Sequence, residues 1–174
     1  MAKLLNSIGY IIVGLLILLF GIMNAPRLAG YVPYVVLSGS MEPAYAKGSI
    51  CYAKSVDPDI IQEKDVIVFP YSSGSEKMVV HRVVSIDKDA KEYKTKGDAN
   101  ANEDSFAVGF ANLKGKVDFG IPLIGFAYEL SMTTVGKVLI VALFAVACAL
   151  WAGAGQVKKA GKGSKAFFHE GEDE

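Results

Sequence analysis

Ser40 stands in the string Ser38-Gly39-Ser40-Met41-Glu42-Pro43, a few residues beyond a long apolar N-terminal segment. A serine in a loop most often serves a turn by hydrogen-bonding nearby backbone. To act as a nucleophile it needs a base to take its proton, a group to orient that base, and donors for a tetrahedral oxyanion. The chain supplies a candidate for each part. His81 is the base, and an aspartate of the Gly97 to Ser105 loop, which carries Asp98 and Asp104, holds the imidazole. The backbone N–H of Ser40 and the hydroxyl of Ser38 are the oxyanion donors. Gly39 between them allows close backbone approach, and Pro43 biases Glu42 away from helix. The chemistry this set can support is amide hydrolysis.

Strand alternation over Met78 to Ile86 puts Val79, His81, Val83 and Ser85 on one face and Met78, Val80, Arg82, Val84 and Ile86 on the other. A lone histidine among apolar neighbours is ordinarily a hydrogen-bonded core residue. Here it is the one histidine available to the region, and a neutral imidazole beside a serine is what general-base catalysis requires. Because an unperturbed imidazole has a pKa of about 6.5, activity is expected to rise through that pH. A lysine base at Lys77, Lys94 or Lys96 would push the rise higher unless burial depressed its pKa strongly.

Short strand-like stretches position these groups: Ile50 to Lys54, Asp65 to Pro70, Met78 to Ile86, Glu92 to Lys96 and Gly115 to Phe119. Turns are expected at Pro58-Asp59, Ser72-Ser73-Gly74-Ser75, Asp87-Lys88-Asp89 and the longer Gly97 to Ser105 loop. No long segment of helical period interrupts them. The expected fold is therefore mainly β, an antiparallel domain flanked by two transmembrane helices.

The chain of 174 residues is 52% hydrophobic, too apolar for an ordinary soluble protein. The excess lies in two blocks, Ile8 to Ala25 and Val138 to Gly155. As a helix each reaches about 27 Å, against a hydrocarbon core of about 30 Å. Lys3 and the small pair Asn24-Ala25 give the first block some features of a cleavable leader. Gly21, Ile22 and Met23 extend it without an Ala-x-Ala close, which fits an uncleaved anchor better. Lys158, Lys159, Lys162 and Lys165 crowd the flank of the second block. With Lys3 at the other end, they predict both termini cytoplasmic and the intervening region outside, Arg27 being a single opposing vote. The resulting division is 1–26 for the anchor, 27–133 for the outer β domain, 134–155 for the second span and 156–174 for a charged tail. The acidic tip Glu170, Glu172, Asp173 and Glu174 reads as a solvated tail.

Net charge is zero and the outer basic residues are interspersed with acids, so nothing favours nucleic acid. Cys51 falls in the outer domain and Cys148 inside the second span, which makes an intrachain disulfide implausible. The outer region has one histidine, no Cys-x-x-Cys and no His-Glu-x-x-His, so neither a metal nor a cofactor is expected.

The six-residue serine string, the His81-Arg82-Val83 strand and the Thr95-Lys96-Gly97-Asp98 turn followed by Glu103-Asp104 together resemble type I signal peptidases of the archaeal and endoplasmic-reticulum kind. The closing run Lys114 to Pro122 is also similar, and the resemblance covers most of Val35 to Phe126. It implies a Ser-His-Asp serine endopeptidase with Ser40 as nucleophile, Ser38 at the oxyanion site and His81 where bacterial members carry lysine. Asp104 takes the place of the triad aspartate, with Asp98 bracing the loop or, as the alternative, contacting His81 itself. Ala99 and Glu103 depart from the usual asparagine and aspartate.

The implied substrates are N-terminal signal peptides of exported preproteins, cut after small residues in an Ala-x-Ala-like pattern. The implied setting is the outer face of a cytoplasmic membrane, or the endoplasmic-reticulum membrane, near Sec-type translocation machinery. Such a peptide can add to the β domain as a strand. Tyr34, Val35, Val36, Leu37, Met41 and Phe69 are candidates to line its pockets or dip into the interface, and ordinary core or an aromatic belt is the alternative. Two other readings stand beside this one: a silent peptide-binding scaffold, and a Ser-Lys self-processing peptidase, which the histidine disfavours.

Overall fold

The computed structural model describes residues 1–72 and 74–169, with side chains through residue 158. Ser73 of the expected turn and the acidic tip from Glu170 to Glu174 lie outside the described residues, as do the side chains of Lys159, Lys162 and Lys165. Helix α1 covers Ala2–Leu28 and is followed by strands β1 (Tyr31–Val35), β2 (Ile50–Lys54), β3 (Val66–Pro70), β4 (Met78–Asp87), β5 (Glu92–Lys96), β6 (Val108–Gly109) and β7 (Gly115–Ile121). Helices α2 (Ile124–Met132) and α3 (Thr134–His169) complete the chain. All pairings are antiparallel, in the order β1-β2-β7-β3-β4-β5-β6. The five expected strands appear with ends moved by at most two residues. β1, β6 and α2 are additions. Helical residues outnumber strand residues because α1 and α3 run to 27 and 36 residues.

The sheet unit, Met23–Leu130, is organised by strands buried on both faces. β3 shows the reason, since Val66 and Val68 point into one cluster with Val36, Met41, Cys51, Ala53 and Val117. Ile67 and Phe69 point into another with Ile61, Val83, Tyr93 and Val108. A run of β-branched and aromatic residues with no polar alternation is the pattern of such a central strand. β2 splits likewise, sending Cys51 and Ala53 to the first cluster and Ile50 and Tyr52 to a third that holds Met23 and Tyr128. Tyr52 Oη donates to the Met23 carbonyl at 3.0 Å, and Arg27 donates to the Tyr128 hydroxyl.

β1 contains Pro33 and occupies the edge of the sheet, where a missing N–H costs no ladder bond. β4 corrects the simple alternation. A bulge between Val83 and Ser85 shifts its phase, so that Ile86 instead of Ser85 packs with Val79 and Val83. Before the bulge the expected faces hold, and His81 is buried on the side of Val83.

The second unit comprises Met1–Ile22 and Ser131–Glu174. α1 and the Thr134–Lys158 part of α3 each contain an 18-residue stretch with a mean hydropathy of 2.4 and are long and apolar enough to cross a membrane. Only 11% of each stretch is buried, so its apolar surface is offered to the surroundings, as a lipid-facing helix requires. Within this unit Tyr10 and Trp151 pack with ring centroids 5.3 Å apart. The indole lies so close to Gly9 that a Cβ there would meet Trp151 Nε1 at 2.5 Å. A small residue letting a partner approach is the usual device of helix pairs in lipid.

Candidate active site

Ser40 sits on a turn between β1 and β2 that is closed at its base. Val36 N–H donates to the Ser49 carbonyl at 2.9 Å and Gly48 N–H to the Val36 carbonyl at 2.8 Å. Inside the loop, Glu42 N–H donates to Gly39 at 3.1 Å and Tyr45 N–H to Met41 at 2.8 Å. Met41, 1% exposed, anchors the turn in the core directly after Ser40. Burying such a side chain stabilises by about 1.5–3 kcal/mol, enough to hold its neighbour in one place.

His81 comes from the middle of β4, opposite Ile67 of β3. Its Nε2 lies 3.2 Å from Ser40 Oγ and its Nδ1 lies 2.7 Å from Asp104 Oδ2. An ionised carboxylate can only accept, which puts the ring proton on Nδ1 and leaves Nε2 to accept from the serine hydroxyl. Ser38 Oγ is 3.0 Å from Ser40 Oγ. With the Ser40 proton directed to His81, Ser38 is the donor in that contact. The Phe69 ring meets the imidazole edge to face, with centroids 6.3 Å apart.

The loop after β5 supplies both aspartates, and it separates them. Asp104 reaches His81, whereas Asp98 receives Arg82 Nε at 2.7 Å and Nη2 at 2.6 Å in a two-pronged ion pair. Arg82 Nη1 also donates to the Lys64 carbonyl at 2.8 Å. The hydrogen bonding of Arg82 to Asp98 is the main cause that raises the Arg82 pKa above its ordinary value. The same loop grips the nucleophile's backbone, since Ala99 N–H donates to the Ser40 carbonyl at 2.9 Å. Gly97 makes this approach possible: a Cβ there would lie 2.6 Å from that carbonyl oxygen.

Other nucleophiles and bases are poorly suited. Burial pushes the Cys51 thiol up to about 12, so it carries no thiolate for attack. Lys77 and Lys94 are exposed. Among the described residues no group of three His, Cys, Asp or Glu is arranged to hold a metal ion.

Of the residues expected to meet a peptide, Val36 and Met41 are 5% and 1% exposed, which corrects that expectation toward the core alternative. Tyr34 packs against their cluster, and Leu37 alone of the group is largely exposed. Phe69, fully buried by its own area, still forms part of the wall of a pocket of about 320 Å³ between Phe69, Pro70 and Tyr71 on one side and Phe106, Ala107 and Val108 on the other. Sequence reasoning passed over the side chain of Thr95, whose hydroxyl contacts Asp104 at 2.7 Å. The signal was available in β5, where Tyr93 and Thr95 alternate inward between exposed Glu92 and Lys94. A polar residue on the buried face of a strand needs a partner.

The family model described as signal peptidase, peptidase S26, matches residues 8–106, more than half of the chain and inclusive of Ser40, His81 and Asp104. Signal peptidase I W of Bacillus subtilis is 35% identical over 125 residues, covering 66% of this chain and 65% of that protein. The signal peptidase complex catalytic subunit SEC11C of Homo sapiens is 40% identical over 73 residues, covering 40% of this chain and 38% of that one. SEC11 of Pyricularia oryzae is 41% identical over 75 residues, with 41% and 42% covered. The chain thus spans just under two thirds of the bacterial relative and about two fifths of the eukaryotic ones. A matched segment that runs from the first apolar helix through the serine turn, the histidine strand and the aspartate loop identifies the chain as a member of the signal peptidase family, peptidase S26.

Proposed function

We propose that the chain is a membrane-bound serine endopeptidase that removes N-terminal signal peptides from exported preproteins, cutting after small residues, by a Ser-His-Asp mechanism. The observation that carries this reading is the unbroken relay from Ser40 Oγ through His81 to Asp104, at 3.2 and 2.7 Å, in a member of the peptidase S26 family. Ser40 Oγ attacks the scissile carbonyl carbon while His81 Nε2 takes its proton. The oxyanion accepts from the Ser40 N–H and the Ser38 hydroxyl. As the C–N bond breaks, His81 returns the proton to the departing amine and leaves an acyl ester on Ser40. Water, deprotonated by His81, then attacks the ester, and as the acyl C–O bond breaks His81 passes that proton to Ser40 Oγ. Asp104 keeps the ring in the tautomer that can accept and stabilises the imidazolium that forms.

In this reading α1 and α3 hold both termini on the cytoplasmic side, and the β domain, residues 27–133, faces outward. The partners are the preprotein signal peptide, the bilayer and the Sec-type machinery that delivers the substrate. The names of the SEC11 relatives as catalytic subunits of a complex support looking for accessory subunits as well.

The test is to incubate the detergent-solubilised protein with a preprotein bearing an Ala-x-Ala site, alongside Ser40→Ala and His81→Ala. The wild type should release the mature protein and neither variant should. Cleavage by Ser40→Ala at the wild-type rate, or none by a folded wild type, overturns the proposal.

A further inference from the structure

We propose that Thr95 is a positioning residue that locks the Asp104 carboxylate onto His81, acting on the reaction without touching substrate. This deepens the reading above and rests on it. Two bonds tie Thr95 to Asp104. The Thr95 hydroxyl donates to Asp104 Oδ2 at 2.7 Å, and the Asp104 N–H donates to the Thr95 carbonyl at 2.8 Å. The oxygen that the hydroxyl reaches is the same one that accepts from His81 Nδ1.

That shared acceptor is what makes the contact specific. A carboxylate held only by an imidazole can rotate about its χ2 axis, exchange its two oxygens and carry the ring with it. A second donor on Oδ2, fixed from a different strand, removes that freedom. Thr95 is suited to the task because it is enclosed and held in the sheet: it is 0% exposed, in β5, and paired in register with Val83, two residues beyond His81 on β4. Its β-branch restricts χ1 in a strand. Its hydroxyl is a buried donor that would be costly to leave unpaired. Asp104 itself lies on an irregular loop, its side chain 12% exposed, and has no strand ladder to hold it. The rigid element therefore lends its order to the loop residue through two bonds to one side chain and one peptide group. Dependence of a catalytic group on such outer support is general in active sites.

The experiment compares Thr95→Val, which keeps the shape and removes the hydroxyl, with Thr95→Ser, which keeps the hydroxyl, in the full-length detergent-solubilised chain with a preprotein substrate. Thr95→Val should lower kcat about 10-fold with KM unchanged, the signature of a group that acts only on the chemical step. Thr95→Ser should recover most of the loss, although it lacks the methyl group that packs in the sheet. A merely structural role reverses that ranking, because valine preserves packing better than serine. Wild-type kcat in Thr95→Val, or Thr95→Ser no better than Thr95→Val, overturns the inference. If Thr95→Val does not fold, Thr95→Ala takes its place under the same criteria. Activity of the wild type, and its absence in Ser40→Ala, are measured in the same series. Failure of those controls counts against the peptidase reading, whereas sound controls with an unaffected Thr95→Val count against Thr95 alone.

Discussion

The two ends of the loop that follows β5 carry the same residue type six positions apart and use it differently. At the far end, Asp104 accepts from His81 Nδ1 and Thr95 Oγ1, both at 2.7 Å, and forms no ion pair with a lysine or arginine among the described residues. At the near end, Asp98 is clamped by the Arg82 guanidinium at 2.6 and 2.7 Å, beside a glycine pressed on the Ser40 carbonyl. A fixed cation makes a carboxylate a structural anchor. In the proposed mechanism, an imidazole whose second nitrogen faces a hydroxyl makes the carboxylate behind it the group that orients the base. What separates the roles is the donor each aspartate meets. Arg82 and His81 are neighbours on β4 that project to opposite faces, so the alternation of one strand sorts the two ends of the loop.

The sharpest way to break this contrast is to exchange its consequences by mutation. Asp104→Asn should reduce kcat by about 10⁴-fold, the scale seen when the orienting carboxylate of a triad becomes an amide, with little change in thermal stability because an oxygen remains to accept from the Thr95 hydroxyl. Gly97→Ala follows. Its new Cβ would displace the Ser40 carbonyl, and an error of about 1 Å in a reacting group costs about 10²-fold, so kcat should fall by that order while Ser38 and His81 are untouched. Asp98→Ala should show the opposite balance. It removes a two-pronged, partly screened ion pair and destabilises the sheet unit by about 1–2 kcal/mol, read by thermal unfolding, with a loss of activity well below that of Asp104→Asn. Equal losses of activity from the two aspartate variants would remove the distinction. The smallest effects are expected for Lys77→Ala, Lys94→Ala and Lys96→Ala, each within about twofold of wild type as for ordinary surface changes. If one of these lysine variants alone is inactive, the histidine is not the base.

Much of this arrangement could be read from the residues in order, and the exceptions share a cause. β2 and β5 were predicted to the residue because Ile50 to Lys54 and Glu92 to Lys96 announce themselves by composition and flanking turns. β1 was not, because Pro33 argues against a strand unless its place at the sheet edge is known, and that place depends on pairing with β2. The bulge in β4 escaped for the same reason. Whether Ile86 or Ser85 faces the core is settled by register against Tyr93 and Lys94 of another strand. Val36 and Met41 read as candidate pocket walls because their position beside Ser40 is local information. That the loop folds back and buries them is not.

The candidate nucleophile, the base and the two apolar helices are consequences of residue type, since only a hydroxyl, an imidazole and long lipid-compatible runs can serve in those capacities. Which aspartate faces the imidazole, which is held by Arg82, and the presence of Thr95 behind the first of them were decided by the tertiary structure. Hydrogen bonds act over about 3 Å, and residues 9 to 41 positions apart in the chain come within that distance only when strands pair and the loops between them close.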